Sequence, residues 1–113
     1  MINESLIMPP EQMRRVSAKL FGNRYRAELM LALAHAGTQG VCMGDLAVRY
    51  GVQSSVYRAP MGALMSLGLA EALPAVAGER RRWHRITAQS SLWPFLRPLL
   101  DCLAEETSPA QVE

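Results

Sequence analysis

Lysine is nearly absent from this 113-residue sequence: of twelve basic residues only Lys19 is lysine, and eleven are arginine. Cysteine is scarce as well. Cys42 and Cys102 are the two present, too few for a disulfide-stapled scaffold. No apolar run approaches the roughly 20 residues that a membrane-spanning helix needs, and no basic head followed by an apolar stretch marks the chain for export. Membrane association is therefore not expected, and the expected compartment is the cytoplasm. Aromatic residues make up 6% of the chain against seven methionines, which predicts an aliphatic, adaptable interior. Neither histidine stands in a nucleophile–base pattern with a carboxylate. No glycine-rich phosphate loop and no pair of acids placed for proton transfer is present either. The chain is read as having no catalytic residues and no cofactor, hence as no enzyme.

What is present suffices for one small core, since half of the residues are hydrophobic. The stretch 43–69 organises it. Leu46, Ala47 and Tyr50 recur at i, i+1 and i+4, and Val56, Ala63, Leu64 and Leu67 at i, i+7, i+8 and i+11, so each half carries one apolar stripe at helical period. Gly51 between them can supply the positive φ that ends a helix, and Gln53, Ser54 and Ser55 are polar helix starters. Two short helices joined by a turn are predicted, the second presenting its first turn outward.

Upstream, 11–21 predicts an amphipathic helix with Met13, Val16, Ala18 and Leu20 on its apolar side. Asn23 is a candidate N-cap for a helix over 24–35 that is apolar around most of its circumference and therefore central. Downstream the period changes to two: 73–76 and 80–87 read as strands around a turn at Ala77-Gly78-Glu79, a hairpin with Arg80, Arg81 and Arg82 at its return. His84, in phase with Ile86, reads as a core residue. From Ser91 as N-cap, 92–104 predicts a last helix that Pro98 should kink or restart. The expected fold is mainly α with a small β-hairpin wing, a winged helix-turn-helix of about five helices. Its parts are a flexible arm over 1–10, the domain with flanking dimerisation helices over 11–104, and an acidic tail over 105–113.

Charge is unevenly distributed. Between residues 46 and 97 seven arginines stand against two glutamates, whereas every charged residue after 97 is acidic. The middle of the chain suits a polyanion, and the planar fork of arginine matches phosphate and guanine.

Four segments, LFGNRYRAELMLAL, VCMGDLAVRYGV, SSVYRA, and MSLGLAE with RRWHRIT, resemble in order the winged helix-turn-helix of arsenic-repressor (ArsR-like) transcriptional regulators. The resemblance covers about 19–104. It implies a sequence-specific regulator of duplex DNA, acting as a homodimeric repressor. The candidate DNA-binding residues are Arg49, Gln53, Ser54, Ser55, Tyr57, Arg58, Arg80, Arg81, Arg82 and Trp83, with Ser54, Ser55, Tyr57 and Arg58 nearest the bases and phosphate contacts from Arg49 and the wing positioning the recognition helix. Dimerisation through the first and last helices would use Met13, Val16, Leu92, Trp93, Phe95, Leu96, Leu99, Leu100 and Leu103, more apolar surface than one-sided packing requires.

Plainer readings stand beside these. The serines can be caps, the arginines a solvated turn, and Trp83 a residue packed under the wing. Arg14, Arg15, Lys19, Arg24 and Arg26 form a second basic cluster that either flanks DNA in a dimer or, the favoured reading, keeps a helix surface soluble. Pro60 allows two placements: inside a helix begun at Ser54, where it would remove a bond to Val56, or at the head of a helix begun at Pro60 itself. Cys42 lies where the resembled family carries two thiolates, but the second position is Gly44, and one soft ligand is not a metal site. A thiol at a helix N-terminus can serve as a redox sensor, or as a small hydrophobe; no metal or thiol effector is expected. Pro60, the net charge of +2 and the acidic tail motivate an alternative function, a winged-helix protein-interaction or dimerisation module with weakened DNA binding.

Overall fold

In the computed structural model residues 10–106 are described; apart from Pro10, the expected N-terminal arm lies outside the described residues, as does the tail over 107–113. Helix α1 (Pro10–Phe21) opens on proline, whose fixed φ and missing N–H suit a first helical position. Its buried face is Met13, Arg14 and Ser17 rather than a purely aliphatic stripe, and Leu20 is exposed. Ser17 explains why the next helix starts later than Asn23 alone would set it. The Ser17 hydroxyl donates to the Asn23 carbonyl at 2.5 Å and accepts the Ala27 amide at 3.0 Å, while the Asn23 side-chain oxygen accepts the Tyr25 amide at 2.8 Å. Residues 23–25 are held as a turn, and α2 runs over Arg26–Ala36. It is central as expected, with Ala27, Leu29, Met30, Leu33 and Ala34 buried.

A 3-10 turn over Gly37–Gln39 leads to Gly40 and the short strand β1 (Val41–Cys42). Gly40 has a φ of +86°, and a Cβ there would stand 2.6 Å from the His84 carbonyl oxygen, so only glycine lets the chain pass this close to the sheet. Helix α3 (Met43–Tyr50) ends at Gly51, in the left-handed conformation with its amide returned to the Ala47 carbonyl, as the sequence leads one to expect.

The second helix of the motif takes neither placement allowed for Pro60. Ser54–Tyr57 form a 3-10 turn, and α4 runs over Arg58–Ser66. Pro60 is the third residue of α4, where the N–H it lacks would have had no intrahelical partner, so the helix keeps its bonds and the proline is buried. Leu67, expected on the apolar stripe, is exposed beyond the helix end.

The wing belongs to three strands, not two. β2 (Ala70–Ala72) and β3 (Trp83–Ile86) pair antiparallel with Ala70 opposite Ile86 and Ala72 opposite His84, and β1 joins the other edge of β3 with Val41 opposite His84. The expected strand over 73–76 does not form. The Leu73 amide makes one more bond, to the Trp83 carbonyl at 2.8 Å, and then Pro74 has no N–H to continue the ladder. Residues 74–82 are a projecting loop, and His84 is buried as expected.

Helix α5 (Trp93–Glu106) continues through Pro98 without restarting and reaches past the expected boundary at 104. Ser90, not Ser91, accepts the Leu92 amide before it, at 3.2 Å. Trp93 and Leu100 are buried in the chain's own core with Leu29, Leu33, Leu46, Tyr57, Met61 and Leu64. The Trp93 indole N–H donates to the Leu69 carbonyl at 2.8 Å, which also accepts the Thr87 amide at 3.0 Å. One carbonyl thus ties the start of β2 to the end of β3 and to α5. Trp93, Leu100 and Met13, expected at a dimer interface, are core residues instead, because each is needed to close the interior of a small domain. Leu92, Phe95 and Leu99 are exposed, and Val16, Leu96 and Leu103 are half-buried. Among the described residues, five α-helices with a small antiparallel sheet make this a winged helix-turn-helix, mainly α.

Candidate nucleic-acid interface

The turn between α3 and α4 divides its side chains between two surfaces. Gln53, Ser54, Ser55 and Arg58 are exposed, whereas Tyr57, between them in sequence, is fully buried. Its hydroxyl donates to Glu28 Oε2 at 2.5 Å. Tyr57 therefore makes no direct DNA contact, and its expected place among the reading residues is corrected: a 3-10 turn has about three residues per turn, so the phase assumed for a continuous α-helix does not hold across Arg58.

On the wing the chain reverses at Val76–Glu79, where the Glu79 amide bonds the Val76 carbonyl at 3.0 Å. Arg80, Arg81 and Arg82 follow the turn, all exposed and outside the strands. They line a groove of about 300 Å³ together with Ser54, Arg58 and the start of α3 at Cys42, Met43, Gly44 and Asp45. Residues more than twenty positions apart in sequence thus converge on one open surface, four of them arginines. The acids that meet them are few: Asp45 Oδ1 lies 3.5 Å from Arg81 Nε, and Glu79 Oε1 accepts the Arg81 amide at 3.4 Å. Arg58, Arg80 and Arg82 carry no ion pair across the described residues at this site. The groove is cationic and open, as a phosphate-tracking surface must be.

Arg49 and Trp83 are not part of it. They line a neighbouring groove of about 370 Å³ with His35, Cys42 and Asp45, and Arg49 lies over the Tyr50 ring at 5.6 Å. Cys42 and Asp45 form the ridge shared by both. Arg85 is engaged elsewhere, with Glu71 at 2.9 Å. A roomier cavity of about 550 Å³ lies between α2, the end of β3 and α5, but its charged residues, Arg97 and Asp101, face each other at 3.9 Å and Asp101 also bonds His35 at 2.9 Å. Its charge is balanced, so it does not compete with the arginine groove for a polyanion.

Among the described residues no three His, Cys, Asp or Glu side chains are grouped to hold a metal ion. Cys42 is a buried free thiol and Cys102 an exposed one. Nor is any helix among the described residues long and apolar enough to cross a membrane.

Two features escaped the sequence reading. Asp45 in the groove gave no signal. The other is a buried polar cluster: Arg14 Nε and Nη2 donate to Glu28 Oε1 and Oε2 at 2.7 and 3.0 Å. Arg14 had been expected on a solvated helix surface, and it is buried because its fork is satisfied by Glu28, which also raises its pKa. A signal existed, since Glu28 is the one acid in a central helix most of whose residues are apolar. No protein-family model matches this chain, and no curated protein matches it at a significant level, so the winged helix-turn-helix is established by the fold itself.

Proposed function

We propose that this chain is a transcriptional regulator that binds duplex DNA in a sequence-specific manner through the arginine groove, as a homodimer and as a repressor that occupies a promoter. The observation that carries the reading is the convergence of Ser54 and Arg58 with Arg80, Arg81 and Arg82 on one exposed cationic surface. Helix α4 supplies an arginine that can reach guanine, and the wing supplies phosphate contacts alongside. The likeness of four sequence segments to arsenic-repressor regulators supports the regulator class, and the exposed apolar residues of α5 support self-association. The protein acts in this reading by binding alone, in the cytoplasm, without catalysis, cofactor or metal.

Selection from a random duplex pool at low salt, followed by fluorescence anisotropy with the labelled selected duplex, tests it. Arg58→Ala should weaken binding about tenfold, in line with the 1–3 kcal/mol of a good base or charged contact. Arg85→Ala, whose arginine is paired with Glu71 outside the groove, should leave binding within twofold. Absence of binding by a folded wild type would favour a protein-interaction module instead.

A further inference from the structure

The turn that carries Ser54 and Arg58 has little of its own to hold it. At its two ends the backbone bonds follow the i→i−3 pattern of a short 3-10 turn, from the Val56 amide to the Gln53 carbonyl at 3.1 Å and from the Arg58 amide to the Ser55 carbonyl. Pro60 has no N–H to offer the Val56 carbonyl, so the α-helical ladder cannot extend back over the turn. Val56 packs at the edge of the core, and the most deeply buried tie from the turn to the body of the protein is Tyr57, whose ring is fully buried and meets the Tyr25 ring edge-on at 5.9 Å and 79°.

The hydroxyl of that ring is aimed. It donates to Glu28 Oε2 at 2.5 Å, and the same carboxylate is gripped from α1 by both nitrogens of Arg14, whose guanidinium also lies over the Tyr25 ring at 4.8 Å. Burial, and then Glu28, push the Tyr57 phenol well above its ordinary range, so it remains a donor at any working pH. A buried ion pair is a poor device for stability alone, because desolvating the charges offsets most of their attraction. A fully satisfied polar cluster instead fixes direction, since its members hold one another at set angles.

We propose that Arg14, Glu28 and Tyr57 are positioning residues for the DNA-reading surface, through which α1 and α2 set the seat of the Ser54–Tyr57 turn and hence of Arg58. As a statement about DNA this rests on the function proposed above; as a statement about the turn it stands alone. The cluster links side chains of α1, α2 and the turn in one place, and Arg58, adjacent to Tyr57, faces outward into the groove.

The test uses hydrogen exchange on the free protein and binding to two duplexes, one selected from a random pool by the wild type and one random. Tyr57→Phe removes only the hydroxyl. At temperatures where circular dichroism shows it folded, the Val56 and Arg58 amides should exchange at least tenfold faster than in the wild type, while amides in the centre of α2 are unchanged. Affinity for the selected duplex should fall about tenfold and affinity for the random duplex less than twofold, since the wing still tracks phosphates. A purely structural role would lower both affinities together or neither. If Tyr57→Phe does not fold, Arg14→Lys, which keeps the charge but loses the paired fork, should accelerate the same two amides. Unchanged exchange at Val56 and Arg58 in a folded variant overturns the positioning role whatever the DNA result. If the wild type binds neither duplex, the function proposed above fails, and the exchange data still decide whether the cluster seats the turn.

Discussion

Gly40 and Gly51 both have positive φ, yet they should respond differently to a side chain. At Gly51 the space is open, and Gly51→Ala should cost about 1 kcal/mol, the ordinary penalty for left-handed backbone. At Gly40 the same change adds a clash with the His84 carbonyl to a backbone region that is essentially confined to glycine, so a loss of 2 kcal/mol or more in urea unfolding is expected, on the order of a strained backbone site plus an overpacked contact. His84 itself gives the fold a pH dependence. Burial in the sheet, and then the nearby Arg82 charge, lower its pKa below the usual 6.5, and its Nδ1 has no hydrogen-bond partner among the described residues. The unfolded chain therefore binds a proton more readily than the folded one, and stability present above pH 6.5 declines as pH falls below it. Unfolding measured from pH 7.5 to 5.5 should show this decline in the wild type and a shallower one in His84→Asn. At this scale the sequence was legible where backbone dictates the residue, as at Gly51. It was not legible at Tyr57 or Arg14, whose burial depends on Glu28 arriving from another helix.

The helices follow from periodicity and their ends from local chemistry, so α1, α2, α3 and α5 lie near their expected places. The departures have particular causes. Ser17 delays α2 through a bond that crosses between helices, a two-residue strand such as β1 carries no readable period, and Pro74 ends the β2 pairing that alternation alone would have extended. The docking of α5 against the wing root depends on the Trp93 indole. Trp93→Phe should cost about 2 kcal/mol or more, the net worth of one hydrogen bond plus the cavity left in the core by the smaller ring, while the Leu69 carbonyl keeps the Thr87 amide. Thermal unfolding would register it.

At the scale of the whole molecule the candidate site divides in the same way. Ser54, Arg58, Arg80, Arg81 and Arg82 are legible in the sequence as charge and hydroxyls near a turn, and folding gathers them into one groove. Arg49 and Trp83 are adjacent to it but separate. Just before and along α5, Leu92, Phe95 and Leu99 remain exposed at i, i+3 and i+7 of one another, an apolar stripe that the described residues leave uncovered. If α5 supplies the dimer contact, Phe95→Asp should weaken self-association at least tenfold in sedimentation equilibrium without lowering the helix content.

The central claim is that the arginine groove tracks a polyanion, and counterion release measures it directly. The logarithm of the binding constant falls against that of salt concentration with a slope of about −0.9 for each phosphate neutralised. Binding of the wild type to duplex DNA across a salt series should give a steep slope, and changing Arg80, Arg81 and Arg82 together to Ala should reduce it by about three. A slope that is near zero in the wild type, or unaltered in the folded triple variant, would contradict the account.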